Sequence, residues 1–278
     1  MCLYSKNERN FEGGIEMKKR IITLTTDWGT KDHYVASVKG KLLTLVDSDI
    51  LIVDITHQIT PLQIYEAAFV LKNCMDFYPA GTIHIIGVGS EASPKTPHVL
   101  VEHGGQFFIG ADNGIFTLLF NKADAAYEIE VFQDSDFFTF PTRDVFVKVA
   151  ASLINGEPPE SVGPVVKKLK EGPEIFTPAD TKTSITGVVI YIDNYGNIIT
   201  NISHEKFRQV VKNKPFIISF GSYELDKISD SYQDMPPGEF VAMFNTSGLL
   251  EIAQNTGNAA RVLGFRFNDV VRVLAEEA

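Results

Sequence analysis

The side chains best suited to chemistry in this sequence are acidic and aromatic, and they fall in two places. Asp27 and Asp32 flank Trp28-Gly29-Thr30 directly after the apolar run Ile21–Thr26. That run reads as a strand, so Asp27 stands at a strand's carboxyl end, where open α/β sheets place ligands. A carboxylate there can accept two hydrogen bonds from a vicinal diol such as that of a ribose. The plainer arrangement has Asp32 capping a helix and Asp27 closing a turn. The second place is Asp193-Asn194-Tyr195-Gly196-Asn197, between two apolar stretches. Its default is a hairpin turn. As a site, Tyr195 could stack on a planar base while Asn197 offers donor and acceptor to a purine edge. Asn245-Thr246-Ser247-Gly248 is likewise a turn first, with hydroxyls able to grip an amino-acid carboxylate.

Other chemistries lack their residues. His57 follows Asp54 by three positions, and His84, His98 and His103 are scattered, with no H-x-H or H-x-x-x-H pair and no cysteine pair at ligand spacing. No metal site is expected, and each lone histidine reads as a hydrogen-bonded structural residue. A metal-dependent phosphohydrolase built on Asp27, Asp32 and Asp54 would need a ligand cluster that this spacing does not supply. The nucleophile elbow, the P-loop and the dinucleotide fingerprint are all absent, and Gly87-Val88-Gly89-Ser90 is too short a glycine signal to replace them.

The elements that must position these residues fall into two patterns. Strand Ile21–Thr26 leads to a helix with Val35, Val38, Leu42 and Leu45 at helical spacing, capped by Asp32. Ile50–Val53 is a second strand, and Pro61 opens a helix lined by Ile64, Ala67, Ala68, Leu71 and Met75. Thr82–Val88, Val99–Val101 and Phe107–Ile109 are further strands, and Asp144–Ile154 a further helix. This alternation predicts an α/β N-terminal domain with a mostly parallel sheet. Prolines and glycines punctuate the stretch that follows, and from Ile185 the pattern changes to short strands with few helices, which predicts a small C-terminal antiparallel β-barrel-like domain. The boundaries expected are 1–16 leader, 17–170 α/β nucleoside-binding domain, 171–183 linker and 184–278 barrel-like domain.

Composition narrows the setting. The formal net charge of −10 excludes a dispersed electrostatic grip on nucleic acid or anionic lipid. No apolar run approaches the roughly 20 residues of a membrane-spanning helix. Hydrophobic residues make up 44% of the chain, including 20 Phe, ample for a large core. Cys2 and Cys74 are the only cysteines, so no disulfide framework is expected and a reducing cytoplasm fits. Residues 1–16 lack the apolar segment of a signal peptide and read as a disordered leader before Met17.

Seven segments taken in order resemble the family of the S-adenosylmethionine hydroxide adenosyltransferases (S-adenosylmethionine hydrolases) and the related fluorinating and chlorinating enzymes. They are Thr26-Asp27-Trp28-Gly29-Thr30-Lys31-Asp32, Val53-Asp54-Ile55-Thr56-His57, Tyr78-Pro79-Ala80-Gly81-Thr82-Ile83-His84, Ala111-Asp112-Asn113-Gly114, Thr142-Arg143-Asp144-Val145-Phe146, Asp193-Asn194-Tyr195-Gly196-Asn197-Ile198 and Asn245-Thr246-Ser247-Gly248-Leu249-Leu250-Glu251. The resemblance implies a homotrimer whose sites lie between one subunit's N-terminal domain and a neighbour's C-terminal domain. By position it implies that Asp27 binds the ribose hydroxyls, that Asp32 and Asp193 face the methionine ammonium, and that Thr246 holds the methionine carboxylate. Tyr195 would stack on adenine, Asn197 bond its edge and Tyr232 form its second wall, with Leu62 and Thr142 near the ribose and the reacting carbon. The ligand would be a nucleoside sulfonium, S-adenosylmethionine, as substrate, with no further cofactor.

The sequence departs from the hydrolytic pattern in one respect. Gly89, Thr96 and Pro141 stand where those members carry an Asp, an Arg and a His. Thr142 and Glu91 are the groups left to place a nucleophile. Two readings follow: hydrolysis to adenosine and L-methionine by displacement at ribose C5′, or transfer to another small nucleophile, against a relative that binds S-adenosylmethionine or adenosine without turnover. Halide transfer is expected to be weak or absent, because Leu62 and Gly89 do not reproduce the halide pocket.

Overall fold

The computed structural model describes residues 20–47, 49–133 and 136–276. The leader expected at 1–16, with Cys2, lies outside the described residues. The N-terminal sheet has six strands, β1 (Arg20–Thr26), β2 (Ile50–Thr56), β3 (Ile83–Gly87), β4 (His98–His103), β5 (Gln106–Ala111) and β6 (Ala125–Glu128). Their order is β2-β1-β3-β5-β4-β6. β1 pairs in parallel with β2 and β3, and β3 with β5, while β4 runs antiparallel to β5 and β6.

Successive side chains of a strand point to opposite faces, and here each face has its own helices. Ile22, Leu24 and Ile85 pack against α1 (Tyr34–Leu45) and α4 (Val147–Ile154). Ile86, Val99, Val101 and Phe108 pack against α2 (Ile64–Lys72) and α3 (Ile115–Leu119). Burying each such aliphatic side chain contributes roughly 1.5–3 kcal/mol. The chain leaves β1 for β2 over one face and returns to β3 over the other, so the strand order reverses at β1. The crevice outside the carboxyl ends of β1 and β3, where Thr26 pairs Gly87, is the switch point at which such sheets bind ligands. β3 ends in glycine because a Cβ on Gly87 would lie 2.6 Å from the Trp28 ring that crosses it.

The C-terminal strands are β7 (Ala179–Asp180), β8 (Ser184–Ile192), β9 (Ile198–Ser203), β10 (Phe216–Phe220), β11 (Tyr223–Leu225), β12 (Phe240–Phe244), β13 (Leu249–Gln254) and β14 (Val270–Ala275). They form one antiparallel path, β11-β10-β14-β8-β9-β13-β12, with β7 on β8. Register shifts in the β8–β9 and β13–β9 ladders let it coil into a nearly closed barrel shape. The two ends meet through rings: Phe240 of β12 lies 5.7 Å from Phe220 and 4.7 Å from Tyr223.

Three local expectations are corrected. Asp32 does not cap α1: the helix starts at Tyr34 behind His33, which already has near-helical dihedrals, and no side chain caps it. Pro61 does not open α2, because Leu62 stands at φ 67° and the helix begins only at Ile64. The segment ahead of α4 is a π-helical turn, Thr142–Phe146. Two C-terminal helices, α5 (His204–Val211) and α6 (Ala259–Leu263), also escaped the sequence reading. α5 is a short, mostly polar helix capped by Ser203 and anchored by Phe207, Val210 and Val211. α6 has only five residues.

The two lobes meet on α2. Phe69 stacks on Tyr191 at 4.5 Å and Tyr65 on Phe267 at 3.9 Å. The Ser247 hydroxyl donates to Asn73 at the end of the same helix.

Candidate functional site

Two concave surfaces gather most of the residues singled out by sequence. The first lies at the switch point. Asp27 follows β1, and its Oδ2 accepts the Leu62 backbone N–H at 2.8 Å. The left-handed backbone at Leu62 costs a residue with a side chain roughly 1 kcal/mol or more, and the Asp27 bond helps hold it there. Asp27, Leu62, Gly89, Ser90 and Glu91 line a cleft of about 400 Å³. Its aromatic wall is Phe140, set edge-on to Trp28 at 5.1 Å and to Tyr34 at 5.3 Å.

Each side of this cleft is braced from behind. On the β1 side, Thr26 Oγ1 lies 2.8 Å from His57 Nδ1, and His57 Nε2 lies 3.2 Å from Asp54 Oδ1. Lys39 Nζ donates to Asp54 Oδ2 at 2.6 Å. Burial pushes the Asp54 carboxyl up, but Lys39 and His57 outweigh it and hold it below the ordinary carboxylate range. The His57 carbonyl accepts the Gly29 N–H at 2.7 Å, so the relay clamps the Asp27 turn to the loop after β2. His57 is thus a hydrogen-bonded structural residue.

On the β3 side three successive carbonyls are held. Asn113 Nδ2 donates to Val88 O at 3.1 Å and Gly89 O at 3.2 Å, and His98 Nε2 to Ser90 O at 2.8 Å. Burial pushes the His98 imidazole below its ordinary value against that hydrogen bond, which favours a neutral ring carrying its proton on Nε2. Thr142, expected beside the reacting carbon, is fully buried behind Ser90, and its hydroxyl donates to Ser90 Oγ at 3.4 Å.

The second surface is on the barrel-like lobe. The turn between β8 and β9 closes on Asp193, whose Oδ1 accepts the N–H groups of Tyr195 at 2.9 Å and Asn197 at 2.8 Å. Its Oδ2 accepts Asn197 Nδ2 at 3.0 Å. Gly196, at φ 83°, is required here because a Cβ would fall 2.1 Å from the Asn258 side chain. The turn leaves the Tyr195 ring 75% exposed. Asp193, Tyr195, Asn197, Tyr232, Gln254 and Thr256 line a cavity of about 620 Å³. The Tyr232 hydroxyl donates to Glu251 Oε1 at 2.7 Å. Burial pushes the Glu251 carboxyl up despite its bonds to Tyr232 and Asn245, and burial together with Glu251 pushes the Tyr232 phenol well up.

The structure therefore brings Asp27, Leu62 and Glu91 together, and separately Asp193, Tyr195, Asn197 and Tyr232, in two hollows that share no lining residue. Asp32 is exposed on the bend before α1, outside both linings, and Thr246 is exposed on the β12–β13 turn. Thr96 closes a small loop with Ser93, and Pro141 precedes the π-helical turn. The sequence reading overlooked Ser90, which lies in the loop three residues beyond β3, whereas Asp27 directly follows β1. It also overlooked Glu251, which carries no spacing signal because its partner Tyr232 is nineteen positions away. Among the described residues no group of three or more His, Cys, Asp or Glu could hold a metal ion, and no helix is long and apolar enough to cross a membrane. A larger hollow of about 710 Å³, beside α3 and residues 165–171, contains none of the residues named above as site candidates.

A switch-point cleft lined by carboxylate and aromatic groups and a barrel-like lobe with an exposed ring beside its cavity define a two-domain architecture with one hollow on each lobe. The chain matches the S-adenosylmethionine (SAM) hydroxide adenosyltransferase N-terminal domain over residues 22–163 and the C-terminal domain of the same family over 187–272. It belongs to that family. It is 29% identical over 267 residues to the (R)-S-adenosyl-L-methionine hydrolase of Methanocaldococcus jannaschii, covering 91% of this chain and 95% of that protein. It is 25% identical over 293 residues to the fluorinase of Actinopolyspora mzabensis, covering 91% and 96%. Among solved structures, an uncharacterized conserved protein from Thermotoga maritima superposes with a TM-score of 0.81 at 28% identity, covering 91% of this chain and 99% of that one.

Proposed function

We propose that this protein hydrolyses S-adenosylmethionine to adenosine and L-methionine by displacement at ribose C5′. The observation that carries the reading is the pair of complementary hollows, one with a carboxylate suited to a diol and one with a ring and amide suited to a purine. The sulfonium carries its charge next to C5′, so methionine leaves as a neutral thioether and needs no general acid. What remains for the protein is to orient and desolvate water, which requires no cofactor. In this reading Asp27 binds the ribose hydroxyls, Tyr195 and Tyr232 enclose the adenine, Asn197 bonds its edge, and Thr246, Asp32 and Asp193 meet the methionine end.

We further infer a cytoplasmic homotrimer in which the cleft of one subunit meets the C-terminal cavity of the next. Two hollows without a common lining residue favour sites completed by a neighbour. A second reading, binding without turnover, is supported by the resemblance, which aligns Gly89, Thr96 and Pro141 with the Asp, Arg and His of hydrolytic members. Incubation with S-adenosylmethionine, with adenosine and methionine followed by chromatography and binding by calorimetry, separates the two. Adenosine above the spontaneous background supports hydrolysis; tight binding without products supports the second reading; neither binding nor turnover refutes both. Shared sites are tested by co-assembling Asp27→Ala and Tyr195→Ala subunits. Random mixing restores about a quarter of wild-type sites if the two halves come from different subunits, and none if they come from one.

A further inference from the structure

We propose that Ser90 is the group that holds the attacking water, with Thr142 as its positioning residue. The inference rests on the hydrolytic reading above. Ser90 is a polar side chain in the loop after β3 that lines the cleft, with Glu91 as its neighbour and Asp27 and Leu62 in the same lining. Its backbone is held in place: its own carbonyl accepts a hydrogen bond from His98 Nε2, and the two preceding carbonyls accept from the Asn113 amide. With the main chain fixed this way, the direction of the Ser90 hydroxyl is left to its χ1, which the bond from Thr142 helps to set. Thr142, with no exposed surface, donates its hydroxyl proton to Ser90 Oγ at 3.4 Å. A serine oxygen that already receives a proton from behind has its own O–H and its second lone pair for the cleft side.

A water molecule hydrogen-bonded to Ser90 Oγ would stand in the cleft that Asp27 also lines, where Asp27 holds the ribose. Its oxygen lone pair forms the new bond to C5′ as the C5′–S bond breaks, and that bond's electrons leave on sulfur as neutral methionine. The protonated 5′-alcohol, a strong acid, then loses its proton to water as the product leaves, so no basic side chain is needed for the bond-making step. This assigns the water to a hydroxyl pair, Thr142 to Ser90, in a chain with Gly89 and Pro141 flanking the same region. Thr142 acts through Ser90, because it is fully buried and outside the cleft lining.

The test uses the full-length protein and S-adenosylmethionine, with kcat and KM for adenosine release and a melting temperature for each variant. Misplacing a nucleophile costs up to about 100-fold, so Ser90→Ala is expected to lower kcat about 10- to 100-fold with KM within about twofold. Ser90→Cys, which keeps the shape with a weak hydrogen-bonding group, should fall in the same direction and covers the case in which the alanine variant does not fold. Thr142→Val should lower kcat about tenfold, and the double variant should be no worse than Ser90→Ala alone, a non-additivity that a purely structural Thr142 would not produce. Wild-type kcat in both Ser90 variants overturns the proposal while leaving hydrolysis intact. A wild-type protein that releases no adenosine overturns the hydrolytic reading, and this proposal with it.

Discussion

Asp27 has two tasks in the structure, and two substitutions separate them. One carboxylate oxygen receives the Leu62 N–H at 2.8 Å, which leaves the other for the cleft. Asn keeps a carbonyl oxygen for Leu62 and loses only the charge. Ala removes both. A hydrogen bond to a charged group contributes roughly 1.5–3 kcal/mol and a neutral one about 1 kcal/mol. Asp27→Ala is therefore expected to raise the Kd for adenosine or S-adenosylmethionine by roughly 12- to 140-fold, and Asp27→Asn by about fivefold. Because Leu62 sits in a left-handed conformation, freeing its N–H should also lower the stability of the alanine variant by about 1 kcal/mol, whereas asparagine should leave it unchanged. Calorimetric titration and urea unfolding on the same preparations read the two effects independently. The reasoning is refuted if both variants bind as the wild type does, or if the alanine variant loses stability alone.

Three further outcomes are expected. His84 is fully buried, and burial pulls its pKa from 6.5 down to about 4 against the hydrogen bond that its Nε2 donates to Gln106 Oε1. A histidine depressed in the fold contributes stability that is present above pH 6.5 and lost as pH falls toward 4. At 1.36 kcal/mol per pH unit this is about 3 kcal/mol. Urea unfolding at pH 7 and pH 4.5 should show a smaller acid loss in His84→Gln, by about 2 kcal/mol, and equal losses would count against it. Gly196→Ala must strain φ 83° and displace Asn258, whose side chain caps α6 by accepting the Arg261 N–H at 2.8 Å. Adding about 1 kcal/mol for each effect gives about 2 kcal/mol, with weaker nucleoside binding; a loss under about 0.5 kcal/mol would show that the turn yields. Phe69→Ala removes a buried ring between the lobes, at a cost of about 3 kcal/mol, and scanning calorimetry should then resolve two transitions where the wild type gives one.

Where burial is two-faced or the spacing strict, the sequence pattern and the structure agree. β1 and β3 are mostly apolar runs covered on both sides, and the ends where Thr26 pairs Gly87 mark the crevice. Asp27 was legible because a strand end is a positional rule. The same rule applied to β3 selects Val88, and Ser90, two residues further along the loop, carries no strand-end signal. Pairings distant in sequence were not legible: Thr142 with Ser90, or Tyr232 with Glu251, have no periodicity to betray them. Helix starts failed where a single backbone angle decided them, as at Leu62, since propensity carries no information about which residue a remote carboxylate will hold. α5 was missed because its stabilisation comes from three apolar side chains in tertiary contact and a serine cap, with the rest of its surface polar.

The ring stacks on α2 have a consequence for symmetry. If the cleft of one copy meets the barrel-lobe cavity of the next, the contact joins unlike surfaces, and every subunit is rotated from its neighbour by an angle built into the chain. That angle is set where Tyr65 meets Phe267 and Phe69 meets Tyr191. Only a rotation that divides a full turn evenly closes such an assembly into a ring; any other value winds it into an open filament. A substitution in this joint, remote from both hollows, would therefore alter how many copies associate, and through that whether every half-site finds its complement.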